Sequence, residues 1–198
     1  CVVSNQRPRI VFDEEGVCDA CRVWEDKHEN IDWAQCEVEL RDLCDKHRSN
    51  NGNYDCIVPG SGGKDSFVQA HALKHQFGMH PLTITWAPHI YTDWGWQNFQ
   101  AWIHDGYDNI LVTPNGRVHR LMTRLALENM FHPFQPFVFG QKVLPVQLAI
   151  QHGVSLIFYG DHGSEWGLPK AEAKNPRSRY SHFTKSSDKE LYFGGISE

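Results

Sequence analysis

Pro59-Gly60-Ser61-Gly62-Gly63-Lys64-Asp65-Ser66 joins an apolar run to an amphipathic one. Upstream stand Tyr54, Cys56, Ile57 and Val58; downstream, Phe67, Ala70, Leu73 and Phe77 recur at helical spacing until Gly78 offers a stop. The reading is a strand, a tight turn and a helix. Backbone N–H groups of a glycine-rich turn and the positive end of the following helix converge there, which favours a polyphosphate. Lys64 adds positive charge, and Asp65 adds a carboxylate able to reach Mg²⁺. Two better-known phosphate loops do not fit. A Walker A loop needs glycine where Val58 stands and serine or threonine where Asp65 stands, and a dinucleotide fingerprint needs a third glycine at Asp65.

Around this turn, strand and helix patterns alternate. Leu82, Ile84 and Trp86 alternate with Thr83 and Thr85 as a second strand ending at Ala87-Pro88. A helix capped near Thr92 or Asp93 carries Phe99, Trp102 and Ile103, and residues 109–113 read as a third strand. Val118, Leu121, Met122, Leu125 and Ala126 mark the next helix. Residues 143–152 mark another, started or bent near Pro145, and residues 154–159 a fourth strand. The alternation predicts an α/β fold, a doubly wound parallel sheet with helices on both faces and ligands at the carboxyl ends of its strands. Gly160 and Asp161, ending the fourth strand, are expected to face the same nucleotide as the glycine turn. Residues 31–48 carry Ile31, Trp33, Val38, Leu40, Leu43 and Cys44 as an amphipathic helix, which residues 49–53 break. The predicted division is therefore a small module with its linking helix over residues 1–50 and a nucleotide domain over residues 51–198.

With 198 residues, 40% hydrophobic and 22% charged, the chain suffices for one sizeable core and a small appendage. No stretch approaches membrane-spanning length and no signal peptide is visible, which predicts a cytoplasmic protein with no membrane partner. A formal charge of −5 with mixed Lys and Arg argues against a broad nucleic-acid surface. The start at Cys1 and the end at Glu198 predict a fragment or a trimmed chain. All six cysteines fall in the first 56 residues, and Cys18 and Cys21 form a Cys-x₂-Cys knuckle able to offer two thiolates to one Zn²⁺. A disulfide framework would not cluster so, and a nucleotide-using domain is at home in a reducing compartment. Ile10-Val11-Phe12 followed by residues 13–16 reads as a strand and turn, a zinc-ribbon-like hairpin. Cys1, Cys18 and Cys21 are the visible ligands, with a fourth expected upstream; a hairpin whose cysteines merely pack is the alternative. Cys36 and Cys44 are expected to be buried, and Cys56 to lie in the first strand.

Ser61-Gly62-Gly63-Lys64-Asp65-Ser66 is similar to the signature of the PP-loop ATP pyrophosphatases, which split ATP between the α and β phosphates. The Cys18-x₂-Cys21 hairpin, the lead from Asn53 to Pro59, His132-Pro133-Phe134-Gln135-Pro136-Phe137 with Gly140-Gln141, Tyr159-Gly160-Asp161 and Glu165-Trp166-Gly167 extend the likeness. Together they resemble the N-acetyl sugar amidotransferase family over nearly the whole chain. Family members usually begin with a further Cys-x₂-Cys pair, carry more chain at the C-terminus and more often have Glu where Asp161 stands. The resemblance implies an enzyme that uses ATP, Mg²⁺ and Zn²⁺ to convert the acetamido group of a UDP- or CMP-linked sugar to an acetamidino group. The resemblance further implies products that serve lipopolysaccharide O-antigen or flagellin glycan pathways. It also implies separate glutaminase and cyclase-like subunits supplying ammonia. Lys64 and Asp65 would be catalytic, while Ser61, Gly62, Gly63, Ser66, Gly160 and Asp161 would hold the nucleotide. Trp86 stands where such folds meet adenine, a core role being the alternative.

Other residues carry weaker signals. Gln141 reads as a substrate-facing turn or a helix start, and Glu165 as a substrate or metal contact, with His162 behind it. Trp24, Trp33 and Trp102 fit core stripes, whereas Trp94 and Trp96 are candidates for a pocket rim. His71 and His75 have metal-compatible spacing but no adjacent catalytic acid, and chance explains them better. Three rival functions stand: a PP-loop RNA thiolase, against which no cysteine follows Cys56; a carboxylate-amidating ligase; and a non-catalytic zinc-ribbon binding protein.

Overall fold

The computed structural model describes residues 2, 4–6 and 10–160. They belong to two compact units that divide between Asp42 and Leu43. In the first, an antiparallel bridge joins Phe12 to Cys18 across a turn in which Asp13 Oδ1 accepts the N–H groups of Glu15 and Val17. Helix α1 (Asp19–Glu29) follows at once and α2 (Trp33–Lys46) runs across the division. The strand-and-turn expectation is met by the bridge, but α1 is an addition, because its charge-rich sequence carries no buried residue and so no readable stripe. Trp24, Trp33 and Cys36 are exposed rather than buried. Among the described residues of this unit, the one buried apolar side chain is Cys18, so no core among them receives those side chains.

In the second unit β1 (Cys56–Pro59), β2 (Pro81–Trp86) and β3 (Asp108–Val112) form a parallel sheet in that order, with Ile57 opposite Leu82 and Ile84 opposite Ile110. Helices α3 (Lys64–His75) and α4 (Asp93–His104) make the crossovers, and α5 (Gly116–Met130) and α6 (Gln135–His152) follow. The segment expected as a fourth strand reaches the outer side of β1 as a single parallel bridge, Ile57 to Ile157. There Ile57 N–H donates to Leu156 O and Phe158 N–H to Ile57 O.

Residues 81–85 are all buried, so both faces of β2 are covered. On one face Ile57, Leu82 and Ile84 pack with Leu144, Leu148 and Ala149 of α6 and with Val154. By the two-residue alternation of strands, Thr83 and Thr85 point the other way. Their hydroxyl oxygens accept from the Asn109 amide at 2.9 and 3.1 Å, and the hydroxyls donate to Asp108 O and Gly60 O, so these buried polar atoms are satisfied. Asp55 fixes the entry to β1 by accepting the N–H groups of Ser49 and His80.

Thr92 caps α4 through its hydroxyl oxygen, and Asn115 caps α5 by accepting from Arg117 and Val118 N–H. Helix α6 begins at Gln135 rather than at Val143. Pro136 occupies its first turn, where no N–H is required, and Pro145 is carried inside the helix rather than starting it. The result is a mixed α/β protein with a three-stranded parallel sheet and six helices among the described residues. None of these helices is long and apolar enough to cross a membrane.

Candidate functional site

The glycine turn stands at the carboxyl end of β1 and is tied to β2 at its start. Gly60 N–H donates to Ile84 O at 2.9 Å, and Gly60 O accepts the Thr85 hydroxyl at 2.7 Å. Gly62 then takes φ +84°, and a Cβ there would lie 2.2 Å from Asn98 O of α4. Glycine is required on both counts. Gly63 is the N-cap of α3 and has no side chain to offer, so the first-turn N–H groups lack a side-chain acceptor. Ser66 donates its hydroxyl to Gly63 O at 3.1 Å. The Lys64 ammonium is 90% exposed and 4.0 Å from the Asp65 carboxylate.

Gly160 closes on this turn from the bridge segment: a Cβ on it would lie 3.1 Å from Ser66 N. Nearby, the Gln69 amide donates to Tyr159 O. Ser61, Gly62, Gly63, Lys64, Asp65, Ser66 and Gly160 are thus neighbours at one end of the sheet. Asp161, His162, Glu165 and Cys1 lie outside the described residues.

Trp86 ends β2 on the same carboxyl edge. Its indole packs against Gly140 of α6 and borders a cavity of about 530 Å³ together with Val118, His119, Met122 and Phe139. The indole Nε1 and His119 Nε2 are buried with no hydrogen-bond partner among the described residues. His119 stacks on His89 at 4.3 Å; burial, and His89 beside it, lower its pKa and favour the neutral ring. A second cavity of about 690 Å³, lined by His89, Arg120 and Phe134 among others, lies beyond β3. Sequence reasoning missed His89 and His119. They come from different elements, and only the rule that ligands gather at carboxyl strand ends pointed to their neighbourhood.

Gln141 is exposed within α6 rather than at a helix start or in a turn. Pro145, four residues on, has no N–H to give its carbonyl. Trp94 and Trp96 are exposed on α4, Trp96 lying edge-on to Tyr91.

In the first unit Cys18 is the N-cap of α1 and Cys21 lies in its first turn, both Cys21 and Arg22 N–H donating to Cys18 O. The Cys21 N–H also holds the Cys18 thiol below its ordinary value, while the Cys18 sulfur pushes Cys21 up. Two sulfurs at one helix N-terminus suit a thiophilic ion such as Zn²⁺. Arg22, on the same turn, pairs with Asp13, Glu15 and Glu25. Cys56 differs: burial pushes its pKa up to about 12, so it stays a thiol.

Fold and edge geometry define the class, a mixed α/β protein with its candidate site at the carboxyl end of a parallel sheet. No protein-family model matches the chain. Over 85 residues, 42% of this chain, it is 28% identical to an uncharacterized protein of Methanocaldococcus jannaschii. The match spans 30% of that protein's length.

Proposed function

We propose that this chain is an ATP-dependent, AMP- and pyrophosphate-forming amidotransferase that turns the acetamido group of an activated sugar into an acetamidino group. The observation that carries the reading is the Gly60–Ser66 turn, where uncapped first-turn N–H groups of α3, the Gly62 bend and an exposed Lys64 meet at the end of β1. A doubly wound PP-loop fold is part of the same proposal. Space is open beside the N-cap, where a Cβ on Gly63 would meet no atom within 4 Å, as an approaching phosphate would need. Ser61, Gly62, Gly63 and Ser66 would hold the phosphates, with Gly160 and Asp161 flanking them and Asp65 orienting Mg²⁺. That ion, when bound, would neutralise charge on the β and γ phosphates. The cavity beside Trp86 would take the nucleobase or the sugar, and Gln141 and Glu165 are proposed sugar contacts. Zn²⁺ would be held by Cys18 and Cys21, with Cys1 and a further ligand.

An amide carbonyl is a poor electrophile and its oxygen leaves badly. Attack of the acetamido oxygen on the α-phosphate of ATP expels pyrophosphate; ammonia then adds at the amide carbon, and AMP departs with that oxygen. Lys64 and the α3 N–H groups stabilise charge on the departing pyrophosphate. The ammonia would come from separate glutaminase and cyclase-like subunits. No side-chain nucleophile is needed, and the buried Cys56 thiol weighs against an RNA-thiolase reading.

The test is AMP and pyrophosphate release from ATP with Mg²⁺ and ammonium across UDP- and CMP-linked acetamido sugars, with product mass showing O replaced by NH. Lys64→Ala and Asp65→Ala should each cut turnover at least about hundredfold. Both side chains are exposed, so melting should be unchanged. ADP in place of AMP, or full activity in either variant, overturns the reading.

A further inference from the structure

Helix α3 carries the phosphate turn at one end and two histidines at the other. His71 lies about 10 Å along the helix axis from Lys64, and His75 one turn further. The turn between α4 and β3 brings Asp105 against this end. His71 Nδ1 is 3.4 Å from Asp105 Oδ2, and the His71 and His75 ring centroids are 4.4 Å apart. One ligand atom from each of the three residues lies within 4.8 Å of the others. We propose that His71, His75 and Asp105 form a binding site for a divalent transition-metal ion of the Zn²⁺ class, separate from the cysteine pair and from the phosphate turn.

The spacing leaves room for an ion among the three side chains, whose ligand atoms lie within 4.8 Å of one another. A charge-assisted hydrogen bond draws its heavy atoms to about 2.7–2.9 Å. Two metal bonds of about 2.0–2.1 Å meeting at a tetrahedral angle instead leave their ligand atoms about 3.3–3.4 Å apart, matching the 3.4 Å found between His71 and Asp105. Two imidazoles and one carboxylate favour a borderline ion over Mg²⁺ or Ca²⁺, which prefer oxygen throughout.

Asp105 is also oriented from behind. Tyr107 donates its hydroxyl to Asp105 Oδ2 at 2.6 Å, the kind of outer-shell support that holds a ligating carboxylate in place. Lys74 donates to Gly106 O, fastening the same turn to α3 before any ion arrives. The His71 and Asp105 side chains are 52% and 28% exposed, so water can complete the coordination without burying charge. A bound ion would clasp the last turn of α3 to the residues that enter β3, at the amino edge of the sheet and away from the proposed chemistry.

The test titrates the full chain, stripped with EDTA, with zinc chloride alone, comparing it with His71→Ala/His75→Ala by equilibrium dialysis and thermal melting. The cysteine pair is common to both proteins, so the difference isolates this site. The variant should hold one equivalent less and show a smaller zinc-dependent rise in Tm, by about 5 °C at saturating zinc. Tyr107→Phe should weaken the histidine site about tenfold while leaving stoichiometry unchanged. Equal stoichiometry in the two proteins overturns the site. Should circular dichroism in EDTA show the double variant unfolded, Asp105→Asn, which keeps an acceptor for Tyr107, takes its place under the same criterion.

Discussion

Residues 10–42 and residues 43–160 are held together by different means. In the first stretch Cys18 is the one buried apolar side chain described, and Arg22 gathers three carboxylates at its surface. In the second, Ile57, Val58, Leu82, Ile84 and Trp102 are among the side chains buried almost completely. A stretch of about forty residues cannot bury enough apolar surface to offset its chain entropy. Exposed ion pairs add little. The lesson is that, should the cysteine pair hold an ion as proposed, that ion would be a folding element for the first stretch, whereas the second stretch has buried packing of its own.

The comparison breaks if chelation leaves the first unit intact. EDTA should abolish hydrogen-exchange protection at Asp13, Asp19 and Arg22, whose N–H groups bond to Val17 O, Val11 O and Cys18 O, while Ile57 and Gly60 keep theirs. Substitutions sharpen it. Trp102→Ala, removing a fully buried indole, should cost about 3–5 kcal/mol in urea unfolding. Trp24→Ala, at a side chain 62% exposed, should stay within about 0.5 kcal/mol; equal costs would mean that the first unit has a core after all. Asn115→Ala, which strips the cap of α5, should cost about 1 kcal/mol and register only in the second unit.

The smallest effect is a pH dependence. The Arg22 guanidinium, with the Val17 N–H, holds Asp13 below its ordinary value of 3.8. Its folded pKa is depressed, so its contribution is present above pH 3.8 and is lost as pH falls through the lower folded value. The Glu15 and Val17 amide shifts should titrate together below pH 3.8; a midpoint at or above that value would remove the pairing.

The contrast also explains what could be read from the chain itself. Strands β2 and β3 lie within a residue of where alternation put them, and Thr92 is one of the two residues expected as a cap. Period-two burial and a capping hydroxyl are local signals. The start of α6 was illegible because Pro145 read as a start or bend, although it is tolerated by a helix packed on the sheet. The exposed Trp24 and Trp33 misled for the opposite reason. Their apolar side chains suggest a stripe, and nothing in a linear pattern tells whether a surface exists to cover it. The glycine turn is contiguous and therefore legible. His71 and Asp105 are 34 positions apart, and His89 and His119 come from different elements, so only the fold brings them together.

The single bridge from Ile57 to Ile157 has a consequence for the order of assembly during synthesis. Strands β1, β2 and β3 are neighbours in sequence order and can pair as they emerge. The bridge instead closes a loop of about a hundred residues, which a ribosome takes about 5–20 s to make. Gly160, which comes to rest against the first turn of α3, arrives only with that closure. A nascent chain therefore carries the glycine turn for seconds before its flank exists.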